Sequence, residues 1–388
     1  MSFYVHESQM DEDSEYYEQK IINLRAAERS FENGDLLSSK YPPRLNILSN
    51  YSCNGKCAIC PVERPMRKDK TMDLEVFNRI AKEAFPAAIV ISTTTIGEPL
   101  LLPWFGHLCK TLDDYSVMAD IVTNATLFTE EKIDSMLKIA ADIKISYDGS
   151  KKETFESIRC GCSKTAVDNG LDRLIKRRKI LRPKQNPTVT IQMTLLKKNI
   201  EELPDVIRYA CNVGADRVKA YYLISYSEAL NNEVLAGDDL DSVCFIEEAK
   251  DIAKSCKIEL EVAERSASPE NAPLERVKCP TAWSQMWIDH DGAVRTCHSH
   301  NGYEIGNAND GIAKLWNGAG YQHIRKASVE DIRDTPCWRC GMLYRQKGND
   351  SLAPYDKNNF LCNPAAKEND NEIKWSNRTR LFHTERYT

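Results

Sequence analysis

Between residues 44 and 225 short apolar, β-branched runs alternate with longer segments of helical periodicity, and this alternation restricts the fold more than any other feature. "RLNILSN" (44–50) reads as a strand, and "DLEVFNRIAKEAF" (73–85) as a helix capped by Asp73. "AIVISTTT" (88–95) has the continuous apolar character of a buried parallel strand. The pattern then predicts a helix over 103–113, a strand over 118–124, a helix over 129–140 and a strand over 142–150. A helix over 165–181, a strand over 188–196, a helix over 200–213 ending near Gly214 and a strand over 217–225 complete it. Strict alternation requires a parallel sheet with right-handed crossovers. Six such units form a doubly wound open sheet or a partial barrel, and periodicity does not separate these. In both, the ligand site lies at the C-terminal ends of the strands.

The flanking segments are read more coarsely. Residues 1–42 are polar and helical in part, and Tyr41-Pro42-Pro43 ends them, because proline blocks helix continuation. The six-unit domain is placed at 43–235, followed over 236–275 by a linking helix (241–256) and a short strand (258–263). A smaller domain at 276–345 opens on "MWIDHDGAVRTC" (286–297), a β-hairpin with Asp291-Gly292 at its turn, and continues into a helix over 311–326. The tail, 346–388, is polar and aperiodic. A net charge of −5 argues against nucleic acid or an anionic membrane as the main partner. No apolar run reaches a membrane span and no signal sequence opens the chain, so a cytoplasmic protein is expected.

Fourteen cysteines are many for a compartment where disulfides are rare, and their spacing points to metal. Cys53, Cys57 and Cys60 lie directly after the first predicted strand, at the catalytic end of such a sheet. Zinc with a remote fourth ligand is one reading. The other is a [4Fe–4S] cluster with three thiolates and one open iron. Four more cysteines come late, at Cys279, Cys297, Cys337 and Cys340.

"CNGKCAIC" resembles the C-x3-C-x2-C loop of the radical S-adenosylmethionine superfamily, and four further segments follow in family order. The resemblance implies a partial (β/α)6 barrel in an α/β chain, with S-adenosylmethionine chelated to the open iron and cleaved to a 5′-deoxyadenosyl radical. "IGEPLL" (96–101) is similar to the family's Gly-Glu segment, so Gly97 and Glu98 are expected at the methionine amine. "VTNATLF" (122–128) carries Asn124, with Ala125 where the family has glycine. "KISYDGS" (144–150) would set Ser146 and Asp148 by the ribose, and "TFESIRCGCS" (154–163) would set Arg159 toward the substrate or the methionine carboxylate.

The late cysteines, in "CPTAWSQMWIDHDGAVRTC" and "CWRC", resemble the twitch or SPASM extension of the same superfamily, a smaller α+β domain. Only Cys362 follows them, which fits the shorter twitch form with one auxiliary [4Fe–4S] cluster. Their spacing is similar to that of a butirosin-pathway aminocyclitol dehydrogenase. His298 and His300 flank Cys297 as candidate sulfur hydrogen-bond donors or acid–base groups, or as exposed hairpin residues.

Three reactions fit. The first oxidises an alcohol carbon of a sugar or aminocyclitol-like small molecule, the auxiliary cluster taking the electron. The second is epimerisation with Cys162 or Cys160 returning a hydrogen atom. The third modifies a ribosomal peptide, which the 43 residues before the first strand disfavour because they are too few for a peptide-recognition domain. A flavodoxin or ferredoxin is the expected reductant. Tyr221, Tyr222, Tyr226 and Glu228 are candidates for a polar pocket near the last strand.

Overall fold

The structure, a computed structural model, describes residues 7–60, 70–93, 96–184, 186–223, 225, 228–235, 240–262, 274–297, 304–330, 332, 337 and 344–346. Cys340, Cys362, His298, His300 and Tyr226, named above, lie outside the described residues.

The predicted alternation forms. Strands β1 (Arg44–Ile47), β2 (Val90–Ser92), β3 (Met118–Thr123), β4 (Ala140–Ser146), β5 (Thr188–Leu195) and β6 (Arg217–Tyr222) pair side by side in parallel. The helices are α1 (Tyr17–Asn33), α2 (Leu74–Ala84), α3 (Phe105–Asp114), α4 (Glu130–Ile139), α5 (Lys152–Ile158), α6 (Lys164–Leu181), α7 (Leu203–Val213) and α8 (Leu240–Cys256). Caps written in the sequence set several of their ends. Asp73 accepts the Glu75 N–H at 2.7 Å to start α2, and Thr129 accepts the Lys132 N–H at 3.3 Å to start α4. The short α5, within "KETFESI", is absent from the sequence prediction.

Period-two alternation along the strands separates two faces. Leu45, Ile47, Ile143, Ile145, Ile191 and Met193 are buried in one core with Phe77, Leu108 and Leu171 of the helices. Each such side chain contributes about 1.5–3 kcal/mol by leaving water. The opposite face is polar.

The strand expected over 258–263 is β7 (Glu259–Val262), which adds in parallel beside β6. The two-stranded pairing of β8 (Leu274–Arg276) with β12 (Tyr344–Gln346) stands apart. After α9 (Thr281–Ser284), the predicted hairpin forms from β9 (Gln285–Ile288) and β10 (Ala293–Arg295), and β11 (Glu304–Asn307) extends it. The hairpin joins the main sheet: β9 runs parallel to β1, with Arg44 opposite Gln285. The strand order is β11-β10-β9-β1-β2-β3-β4-β5-β6-β7, an unclosed sheet and so a partial barrel.

The single helix expected over 311–326 is two, α10 (Ile312–Trp316) and α11 (Ala319–Val329). Asn317 breaks it. Its side chain accepts the Ser38 N–H at 2.9 Å and donates to Ser39 O at 2.9 Å, and the Gly318 that follows takes an extended backbone, φ −76° and ψ 173°, which separates the two helices.

Candidate active site at the C-terminal edge of the sheet

The three-cysteine loop leaves β1 at the edge where parallel sheets carry their ligands. Two of its sulfurs, Cys53 and Cys57, come together with that of Cys162. A Cβ placed on Gly55 would stand 3.6 Å from Cys57 Sγ, 3.7 Å from Cys53 Sγ and 2.9 Å from Cys162 Sγ, so glycine leaves space that thiols line.

The Gly-Glu segment packs on the start of this loop. Gly97 has φ +90°, and a Cβ there would lie 2.8 Å from Asn50 O and 2.9 Å from Ser52 O. Both the angle and the approach demand glycine. Glu98 N–H donates to Ser52 O at 2.7 Å. The Glu98 carboxylate is buried and accepts from the Thr123 hydroxyl at 2.6 Å and the Asn124 N–H at 2.8 Å. It thereby ties the exit of β2 to the exit of β3. Burial pushes the Glu98 carboxyl pKa up, against the lowering pull of these two bonds.

Asn124 reaches back to the loop, donating to Asn54 Oδ1 at 2.9 Å. Ala125, in the family's glycine position, adopts φ +57°. Ser146 ends β4 opposite Gln192. Asp148 is fully buried: Oδ1 accepts the Thr194 N–H at 2.6 Å, and Oδ2 accepts Arg159 Nε at 2.5 Å. Arg159 in turn reaches Cys57 Sγ at 4.0 Å. So Gly97, Glu98, Asn124, Asp148 and Arg159 all gather around one loop, while the two carboxylates are spent on protein donors.

Sequence reasoning missed other groups. Asn50 Oδ1 is buried and finds no donor among the described residues, and its Nδ2 donates to Glu98 O at 3.3 Å. On the inner face of the sheet, charged side chains pair across the strands. Arg44 meets Asp120 at 2.7 Å, Lys144 meets Asp142 at 3.3 Å, Arg217 meets Asp142 at 2.8 Å and Lys219 meets Glu261 at 2.6 Å. The signal was present as alternating polar positions in "DIKIS" and "RVKAYY". Tyr221 lies on this polar side and is 41% exposed.

The late cysteines occupy the other edge. Cys279 precedes β9 and Cys297 follows β10, which runs antiparallel to it, so both lie at the N-terminal ends of the parallel strands. Cys279 N–H donates to Ser328 Oγ at 2.7 Å. Cys337 packs against a cluster that includes Trp283, Val90 and Met118, residues of the same edge.

A model of the radical SAM superfamily matches residues 47–210, and one of SPASM, an iron–sulfur cluster-binding domain, matches residues 279–341. The chain is a radical SAM enzyme. A tungsten-containing aldehyde ferredoxin oxidoreductase cofactor-modifying protein of Pyrococcus furiosus is 24% identical over 72% of this chain and 77% of that protein. A PqqA peptide cyclase of Bradyrhizobium diazoefficiens is 21% identical over 69% of this chain and 70% of that one. The crystal structure of SuiB from Streptococcus suis bound to its precursor peptide SuiA superposes with a TM-score of 0.59 at 16% identity. It covers 79% of this chain and 71% of SuiB.

As a radical SAM enzyme with a SPASM domain, the protein uses S-adenosylmethionine, a [4Fe–4S] cluster and an auxiliary iron–sulfur cluster. The residues present fit the first of these. Thiols line the space beside Gly55, and the buried Asn50 oxygen beside Gly97 is an acceptor still available to a donor. Among the described residues no helix is long and apolar enough to cross a membrane.

Proposed function

We propose that this radical SAM enzyme is a maturase that modifies a peptide. The observation that carries the reading is the pair of peptide-acting proteins, the PqqA cyclase and SuiB, whose likeness runs over more than two thirds of the chain. Oxidation of a sugar or aminocyclitol alcohol has the spacing of Cys279, Cys297, Cys337 and Cys340 in its favour, and the comparisons add nothing to it. Epimerisation stands no better.

In this reading Cys53, Cys57 and Cys60 hold the [4Fe–4S] cluster, and Cys279, Cys297, Cys337 and Cys340 hold the auxiliary one. Once loaded and given an electron from a flavodoxin or ferredoxin, the first site would supply reductive cleavage of S-adenosylmethionine, the chemistry that yields a hydrogen-abstracting 5′-deoxyadenosyl radical. Gly97 lets the backbone close on the cosubstrate, and Asn50 Oδ1 accepts from its methionyl amine. Glu98 and Asn124 brace the strand exits around it. Asp148 holds Arg159, which presents positive charge at the site, and Ser146 faces the ribose.

The test is anaerobic turnover with reductant and S-adenosylmethionine, offering peptides encoded beside the gene and, separately, aminocyclitols. The expected result is 5′-deoxyadenosine formed in step with a peptide lighter by a pair of hydrogens. Turnover of an aminocyclitol with none of any peptide would overturn the maturase reading. Iron analysis should give about eight irons per chain, falling by about half in Cys57→Ala.

A further inference from the structure

A guanidinium and a thiol from one segment both approach the three-cysteine loop beside Cys57. Arg159 Nη1 is 4.0 Å from Cys57 Sγ, and its Nε is anchored on Asp148. The Cys162 sulfur lines the same space as the Cys57 sulfur, the two lying 2.9 and 3.6 Å from a Cβ placed on Gly55. The segment carrying both is clamped to the loop by main-chain bonds, Lys56 N–H to Cys160 O at 2.5 Å and Ala58 N–H to Ile158 O at 2.8 Å. Gly161, with φ +83°, permits the close approach, since a Cβ there would lie 3.3 Å from Asn54 O. Cys162 is 2% exposed and belongs to the main core. A thiol that returns hydrogen to a substrate must meet the substrate, and this one is buried beside Gly55 of the loop instead. Cys160, half-buried, turns its sulfur to Ser157 O at 3.3 Å.

We propose that Cys162 is a positioning residue whose thiol donates a hydrogen bond to the Cys57 sulfur and, with Arg159, raises the reduction potential of the cluster held there. A donor to a ligating sulfur draws electron density from it and favours the reduced, more negatively charged cluster. The proposal rests on the reading of Cys57 as a ligand.

The experiment is a redox titration of the holoenzyme followed by electron paramagnetic resonance, using the signal that S-adenosylmethionine perturbs. Cys162→Ala should move its midpoint to a more negative potential, while Cys162→Ser, which keeps a donor, should stay nearer the unaltered protein. Equal midpoints for the alanine variant and the unaltered protein overturn the proposal. So does altered iron coordination in the alanine variant before S-adenosylmethionine is added, which would make Cys162 an iron ligand. If the alanine variant fails to load, the serine variant decides. Replacing S–H by O–H must change the exchangeable-proton coupling of the reduced cluster in heavy water, and an identical coupling overturns the proposal. Failure of the underlying reading looks different, because Cys57→Ala would then retain the perturbed signal.

Discussion

Asp148 has both carboxylate oxygens engaged, one by the Thr194 N–H and one by the Arg159 guanidinium, in a position with no exposure to solvent. Removing its charge leaves the largely enclosed Arg159 guanidinium, 14% exposed, without that partner, and breaking a buried pair costs about 3–5 kcal/mol. Asp148→Asn is therefore expected to lower the unfolding free energy by roughly that amount, read by urea denaturation of the anaerobic protein. A loss below about 1 kcal/mol, the worth of an exposed pair, would contradict the geometry. Ala125 is the opposite case. Its φ of +57° costs an L-residue about 1–2 kcal/mol. Glycine would relieve that strain but forfeit a buried methyl, about 0.8 kcal/mol, and lose about 0.4–1 kcal/mol by freeing the unfolded chain. These oppose one another, so Ala125→Gly should change thermal stability little, which explains how this chain tolerates alanine where its family has glycine. Ala125→Val, β-branched at positive φ, should lower the melting temperature clearly.

At the scale of elements, α1 is fastened by a buried amine. Lys20 on α1 donates to Phe85 O at 2.7 Å and also to Ala88 O, where the chain leaves α2 for β2. Burial lowers its pKa from 10.5 to about 7. Between those values the unfolded chain holds a proton that the folded chain has released. Stability should therefore rise with pH across this window, by up to about 1.4 kcal/mol per pH unit. Denaturation midpoints from pH 7 to 9 should show the rise, and Lys20→Met should flatten it; an unchanged slope would remove Lys20 as its source. Nothing local in "EYYEQK" announces this role, because the two carbonyls come from a segment distant in sequence. The same limit explains what else was hidden. Asp73 and Gly214 marked helix ends because capping is local. The pairing of β9 with β1 was not legible, since a strand's own pattern does not name its neighbour. The motifs placed Glu98 and Asp148 at the right edge, yet which donors their oxygens take depends on three strands at once.

For the whole molecule, the two cysteine groups hang from one pair of strands, at opposite ends. The loop of Cys53, Cys57 and Cys60 leaves the C-terminal end of β1, while Cys279 and Cys297 flank the other end of the hairpin that pairs with it. Four residues of strand span about 13 Å, so the two groups stand at separate ends of one scaffold. Loading of one should not require the other. The reaction, however, needs both if the auxiliary cluster takes the electron left on the substrate after hydrogen abstraction. Cys297→Ala is accordingly expected to keep the signal that responds to S-adenosylmethionine and to keep releasing 5′-deoxyadenosine, while the modified product falls away. The ratio of 5′-deoxyadenosine to product, near one in the unaltered enzyme, should rise at least about tenfold, the scale on which loss of a partner at a metal site is felt. A ratio that stays near one would show that electrons leave the substrate by another route, and would reduce the C-terminal domain to a structural extension of the sheet.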